Sequence, residues 1–203
     1  MTTSRKKTRS TYHHGDLRGA LIRAGVKLVA KYGIGGLTMA RVAKAAQVAV
    51  SAPYRHFDDR NALLAAIAAE GFGRLTAQFE TVGDGKNRVQ RLALVYVGFA
   101  LENREHFRVM FEGQLDKSLY PELQAAGDRT FAVLAQAAQT LSGTRNPSRA
   151  TATVATATVA TATIWSVVHG FAVIAIADGF SVFNVALETL LARTVAQVVS
   201  SYD

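Results

Sequence analysis

Three residue groups in this chain have the types and spacing to do chemistry, and each asks for a different partner. Tyr54, Arg55 and His56 stand in a row behind Val50, Ser51 and Ala52, so donors and a guanidinium follow small side chains. That set suits a nucleic acid. An arginine can fork onto guanine or a phosphate, small residues let a backbone approach base edges, and an alanine methyl fits the thymine methyl. His13, His14 and Asp16 have the types of a metal cluster, but they stand where a helix begins, and capping or phosphate contact suits them better. Glu102, Glu105 and His106 offer half of a di-iron carboxylate site, which would need Glu-x-x-His copies on two facing helices. The chain has no such pair, so no metal, cofactor or catalytic residue is expected.

The residues ahead of Tyr54 describe the element that must hold it. Thr38 can cap a helix whose apolar positions Met39, Val42, Ala43 and Ala46 fall at i, i+3, i+4 and i+7. Arg41 and Lys44 then point outward. Val48 reads as a buried plug at a tight turn, and a second short helix starts near Val50 or Ser51, with Pro53 tolerated in its first turn. Two short helices around a tight turn, ending in an aromatic and basic cluster, have the form of a helix-turn-helix.

Charge supports a phosphate-binding role independently of that motif. Residues 1–60 hold 12 Lys and Arg against 3 Asp and Glu, while residues 61–203 hold 11 against 12. The formal net charge of +8 is therefore wholly N-terminal, the footprint of a basic module attached to a near-neutral remainder. Arg5, Lys6, Lys7 and Arg9 form an arm that could follow a DNA backbone or enter a minor groove. The first 16 residues are polar and basic without an apolar run, so a cytoplasmic chain is expected. Cysteine is absent, which excludes disulfides and thiolate metal sites.

Apolar residues make up 49% of the chain, enough for a substantial core. The periodicity predicts helices over 15–32, 59–81, 87–103, 104–111, 121–141, 148–177 and 184–200, with no competing strand pattern. In the first, Leu17, Leu21, Leu28 and Val29 face inward; in the second, Gly71 and Gly73 weaken the middle. Residues 150–177 carry no charged side chain over 28 positions, long enough to cross a bilayer. An Ala/Thr-rich first half, Trp165 and His169 in mid-segment and no basic far flank favour a buried interface helix instead. The repeat at 150–164 has a period of five, so Val154, Val159 and Ile164 share no face. A seam of Val154, Thr158, Thr161, Trp165, Val168, Ala172 and Ile176 lets it run as one helix. Phe171, Val173, Ile174, Phe183, Leu187, Leu190 and Leu191 exceed what one core needs to bury, and a second copy is their expected cover.

The chain resembles the TetR-type repressors through YHHGDLR at 12–18, AKYG at 30–33, LTMARVAKAAQV at 37–48 and APYRHFDDRNALLAAIA at 52–68. It departs at Gln47, where the family commonly has a glycine in a left-handed turn. Trp165-x-x-x-His169-Gly170 and the segment 105–111 are similar to one subgroup of that family. The resemblance implies an all-α fold, with a basic arm and three-helix DNA-binding domain over 1–60 and an effector-binding, dimerising domain over 61–203. It implies phosphate contacts from Tyr54 and His56, supported by Thr38 and Arg60, and an effector cavity among helices carrying Tyr96, Phe99, Phe107, Met110, Phe111, Trp165 and His169. A homodimer would bind a near-palindromic double-stranded operator and leave it when a small, mainly apolar effector binds, with no membrane involved. The alternative is a small helical enzyme or ligand-storage protein that uses its basic N-terminus only as a tail.

Overall fold

Local capping fixes where the helices begin and end. The computed structural model describes residues 16–85, 87–140, 150–181 and 185–202, with backbone alone over 150–157. Helix α1 (Leu17–Tyr32) starts where the Asp16 carboxylate accepts the Gly19 N–H at 3.0 Å, and it stops at Gly33, whose φ of 69° leaves the helical region. Helix α2 (Met39–Ala45) is capped by the Thr38 hydroxyl, which accepts the Arg41 N–H at 3.3 Å. Met39, Val42, Ala43 and Ala46 are all buried, as their spacing requires.

The turn after α2 keeps the left-handed geometry without the glycine. Gln47 has φ 57°. The Val48 N–H bonds the Ala43 carbonyl at 3.0 Å and the Gln47 N–H bonds the Lys44 carbonyl at 3.2 Å, the pairing of a Schellman closure. Val48 itself is half-buried rather than a full plug, because the turn carries it to the edge of the unit. The expected second helix is shorter than its pattern suggests: turns over 49–52 lead into one 3-10 turn, Pro53–Arg55. Pro53 has no N–H to give to a preceding turn, so regular α-helix cannot run back through it.

The chain divides into two compact units at Arg60/Asn61. Helix α3 (Arg60–Glu80) opens at that boundary and is followed by α4 (Arg88–Glu102), α5 (Arg104–Glu112), a 3-10 turn (Lys117–Leu119), α6 (Pro121–Gln139), α7 (Ala150–Ile176) and α8 (Leu187–Ser200). No strand occurs among the described residues. Asn103 separates α4 from α5, its amide and backbone N–H both bonding the Phe99 carbonyl. Gly71 has a packing role that its helix propensity hides: a Cβ there would stand 2.6 Å from the Met110 sulfur and 3.1 Å from the His106 Cβ, so α3 and α5 meet closely at this point. Gly73 faces open space.

Helix α7 is the hub of the second unit, packed against α4, α6 and α8. The Ala/Thr repeat is helical throughout its length. Its buried seam is Ala160, Thr161, Ile164, Val168, Ala172 and Ala175, whereas Thr158 is exposed. The part Thr158–Ile176 has the length and mean hydropathy (1.9) of a membrane span, and a third of it is buried inside the unit. Leu21, Leu28 and Val29 are in the core and Leu17, the first residue of α1, is half-buried.

Removing the backbone cost at the α2 closure gives a direct check. Gln47→Gly should raise the stability of the first unit by about 0.5–1 kcal/mol, since a side chain in the left-handed region costs roughly that much. Urea unfolding followed by far-ultraviolet circular dichroism measures it. An unchanged or lower midpoint would mean that Gln47 carries no strain.

Candidate DNA-reading surface and effector cavity

In the first unit the inward anchors decide what faces out. Pro53 and Phe57 are buried, and the Phe57 N–H bonds the Pro53 carbonyl at 3.0 Å. The turn between them therefore throws Tyr54, Arg55 and His56 outward, beside exposed Val50 and Ser51 and half-buried Ala52. Val50 is 62% and Tyr54 54% exposed, too much for residues serving the core of this unit. None of the side chains of Ser51, Tyr54, Arg55 and His56 makes a hydrogen bond to another described residue. Lys44 is exposed on the same footing and adds a cation.

Other residues put forward for this surface are tied down. Arg60 gives Nε to the Leu37 carbonyl at 2.9 Å and Nη2 to the Ile34 carbonyl at 2.6 Å, so its guanidinium staples the loop before α2. Arg41 donates to the Gly36 carbonyl at 2.7 Å and lies 4.6 Å over the Tyr32 ring, which fixes the same loop from the other side. Thr38 is committed to its cap. Asp16, which pairs with Arg23 at 3.2 Å, is a helix cap, and the Gly19 N–H and then Arg23 hold its carboxyl below the usual carboxylate range. Arg5, Lys6, Lys7, Arg9, His13 and His14 lie outside the described residues.

In the second unit an aromatic cluster gathers around His169. Its ring stacks on Trp165 at 5.2 Å and on Phe107 at 5.5 Å and meets Phe111 edge-on at 4.7 Å. Nδ1 shares a hydrogen bond of 2.9 Å with the Tyr96 hydroxyl. Burial pushes that hydroxyl well above the ordinary phenol range, against a smaller lowering by Trp165. Burial also lowers the pKa of His169, so the neutral imidazole is the form that packs here.

Beside this cluster lies a cavity of about 250 Å³ between α3, α6 and the aromatics. Tyr96, Phe111 and Trp165 line it as expected. Phe99, Phe107 and Met110 do not: they are buried as packing between helices. His169 sits behind Tyr96 rather than on the wall. The walls that the sequence reading missed come from Phe72 and Leu75 on α3 and from Gln124, Asp128, Phe131 and Leu134 on α6, with Lys117 before it. A gap of about 20 Å³, room for about one water, lies on the other side of Tyr96, Leu134 and Trp165. Thr130 also lines the cavity, but its hydroxyl is engaged with Thr76 at 2.7 Å and with the Phe72 and Ala126 carbonyls.

His106 is buried with Nε2 3.5 Å from the Glu70 carboxylate, which Arg74 also holds, and Nε2 has no hydrogen bond. Burial and then Arg74 lower the His106 pKa. No group of three metal-ligating side chains comes together among the described residues.

Two family models match the chain. Residues 21–67 fit the bacterial regulatory proteins of the tetR family, and residues 89–198, more than half of the chain, fit the tetracyclin repressor-like C-terminal domain. The chain belongs to the TetR family. Its members are transcription regulators that bind DNA through the N-terminal domain and small molecules through the C-terminal one. The curated sequences contain no significant match. A Rhodococcus sp. RHA1 protein of unknown function is similar at 26% identity with a TM-score of 0.76, covering 95% of this chain and 98% of that one. FadR from Bacillus subtilis in complex with stearoyl-CoA shares 14% identity and a TM-score of 0.67, over 91% and 98%. A TetR variant from Acinetobacter baumannii AYE in complex with minocycline shares 17% and 0.59, over 91% and 94%. The last two likenesses speak for the fold.

The two lowered histidines set a pH dependence. In the unfolded chain both titrate near 6.5, whereas the folded state resists protonation until lower pH. As pH falls through about 6.5 the unfolded state takes up protons first, so stability is lost toward acid and fully present above neutrality. Urea midpoints between pH 8 and 5 should fall, and His106→Leu should flatten the decline. A midpoint that rises toward pH 5 would contradict the neutral packed forms.

Proposed function

We propose that this TetR-family protein is a homodimeric, cytoplasmic repressor that reads a near-palindromic operator and leaves it when a small, mainly apolar effector enters the second unit. The observation that carries the reading is the outward row of Ser51, Tyr54, Arg55 and His56, held by buried Pro53 and Phe57 and without side-chain hydrogen bonds to other described residues. Tyr54, His56 and Lys44 take phosphates, Arg55 takes guanine or a phosphate, and Ser51 and Ala52 approach base edges. Val50 supplies apolar contact beside them. Arg41, Thr38 and Arg60 act behind this surface by fixing the loop before α2. The arm residues Arg5, Lys6, Lys7 and Arg9 add phosphate contacts. Trp165-x-x-x-His169-Gly170 assigns the protein to its subgroup, and the cavity beside that motif is the effector site.

The exposed apolar side chains of α7 support dimerisation through α7 and α8. Val159, Val173 and Ile174 are each 44% exposed or more, and Leu187 and Leu190 of α8 are half-buried. Leu191 belongs to the core at 1% exposure, and Phe183 lies outside the described residues.

Two measurements test the reading. Affinity for an operator should fall linearly in log salt, each neutralised phosphate adding roughly −0.9 to the slope. Arg55→Ala should cost about 1–3 kcal/mol and relax base preference, whereas Tyr54→Phe should weaken all duplexes alike. A flat salt response would remove the DNA-binding function. Ile174→Glu should give folded monomers in sedimentation, while Leu191→Glu should unfold the second unit. A wild-type chain that stays monomeric at micromolar concentration would refute the interface.

A further inference from the structure

We propose that the cavity of the second unit selects a small amphiphile with one negative charge, a carboxylate on an apolar body, and that Lys117 is the residue that selects it. The proposal rests on reading the cavity as the effector site. The floor is aromatic and aliphatic, and the two hydroxyls nearest to hand are already engaged: Tyr96 with His169 and Thr130 with Thr76 and two carbonyls. The polar groups left to meet a ligand are Lys117, Gln124 and Asp128, which share one rim.

Among these, Lys117 is held in place. Its ammonium lies 5.2 Å from the centre of the Phe72 ring and at ordinary contact distance, 3.9 Å, from where a Cβ on Gly127 would stand, so it rests between that ring and α6. It has no ion pair among the described residues. Asp116, in the same turn, is instead committed to the Ser118 N–H and hydroxyl at 3.0 and 2.6 Å. A cationic ligand entering the aromatic walls would meet this ammonium on the ring face it would itself prefer. An anion would gain a charge-assisted hydrogen bond there, with the Gln124 amide as a second donor.

Asp128 limits that charge. It stands one helical turn beyond Gln124 on the same rim, and with Lys117 it brings the local charge to zero. A phosphate ester or other polyanion would face a carboxylate with a single ammonium to offset it. The volume of about 250 Å³ lies below the roughly 300–1,000 Å³ of pockets for drug-sized ligands, which favours a body the size of a phenylalkyl or short alkyl chain.

The test compares 4-phenylbutyrate, 4-phenylbutyramide and 4-phenylbutylamine, which share one apolar body, by their effect on Trp165 fluorescence in the full-length protein. Trp165 is the single tryptophan and lines the cavity. The acid should bind about ten-fold tighter than the amide, and the amine weakest. Lys117→Met should bring the acid-to-amide ratio to about one, and Asp128→Asn should raise it. An amide or amine that binds as well as the acid, with a ratio indifferent to Lys117→Met, overturns the proposal and leaves the cavity as an effector site. Absence of any response from all three at millimolar concentration overturns the cavity reading and the proposal with it.

Discussion

The closure of α2 governs what the first unit can present. Because the chain leaves Ala46 through a left-handed Gln47, with Val48 bonded back to Ala43, it reverses within two residues. The following segment is then short enough that Pro53 and Phe57 both reach the core. Once those two are inside, the residues between them have nowhere to go but outward. Arg60 and Arg41 hold the loop on the other side of α2 by its carbonyls, so the helix is fixed at both ends. The proposed recognition surface, built on one 3-10 turn, thus borrows its rigidity from the closure before it and from the buried residues that flank it.

The second unit solves a different problem, how to keep polar groups inside an aromatic cluster without leaving them unsatisfied. Trp165 and His169 stand one turn apart on α7, and the imidazole can stack on the indole while Nδ1 reaches the Tyr96 hydroxyl. Each polar atom so engaged is removed from the cavity wall. What remains for a ligand is an apolar floor and a charged rim. The floor comes mainly from α3, α4, α5 and α7, while the rim comes from the turn before α6 and from α6 itself.

Much of this was legible in the sequence where the determinant is local. Thr38 and Asp16 cap helices through residues three positions away, and the i, i+3, i+4 spacing placed Met39, Val42 and Ala43 in the core. The row at Tyr54 could be read because Pro53 restricts its own backbone. Nonlocal choices were not legible. The resemblance put Phe99, Phe107 and Met110 on helices around a cavity but could not say whether the interior beside each is filled or hollow. Arg60 was expected to support the phosphate contacts, but its hold on the Leu37 and Ile34 carbonyls, more than 20 residues away, has no local signal. The wall on α6 is nonlocal too: Gln124, Asp128, Phe131 and Leu134 line the cavity only because α6 packs beside α3 and the aromatics. Leu191 looked like surface cover because its helix is short of charge, and only the packing of α8 on α4 and α7 shows it to be core.

The central claim is that the row at Ser51 to His56, doubled by a two-fold axis, reads DNA sequence. Selection of duplexes from a randomised pool by the full-length protein, followed by sequencing, tests it most directly. The account predicts enrichment of an inverted repeat whose half-sites lie about one helical turn, or a multiple of it, apart, and the loss of that enrichment for Arg55→Ala. A selected pool with no inverted repeat, or one enriched equally by the Arg55→Ala variant, would contradict it.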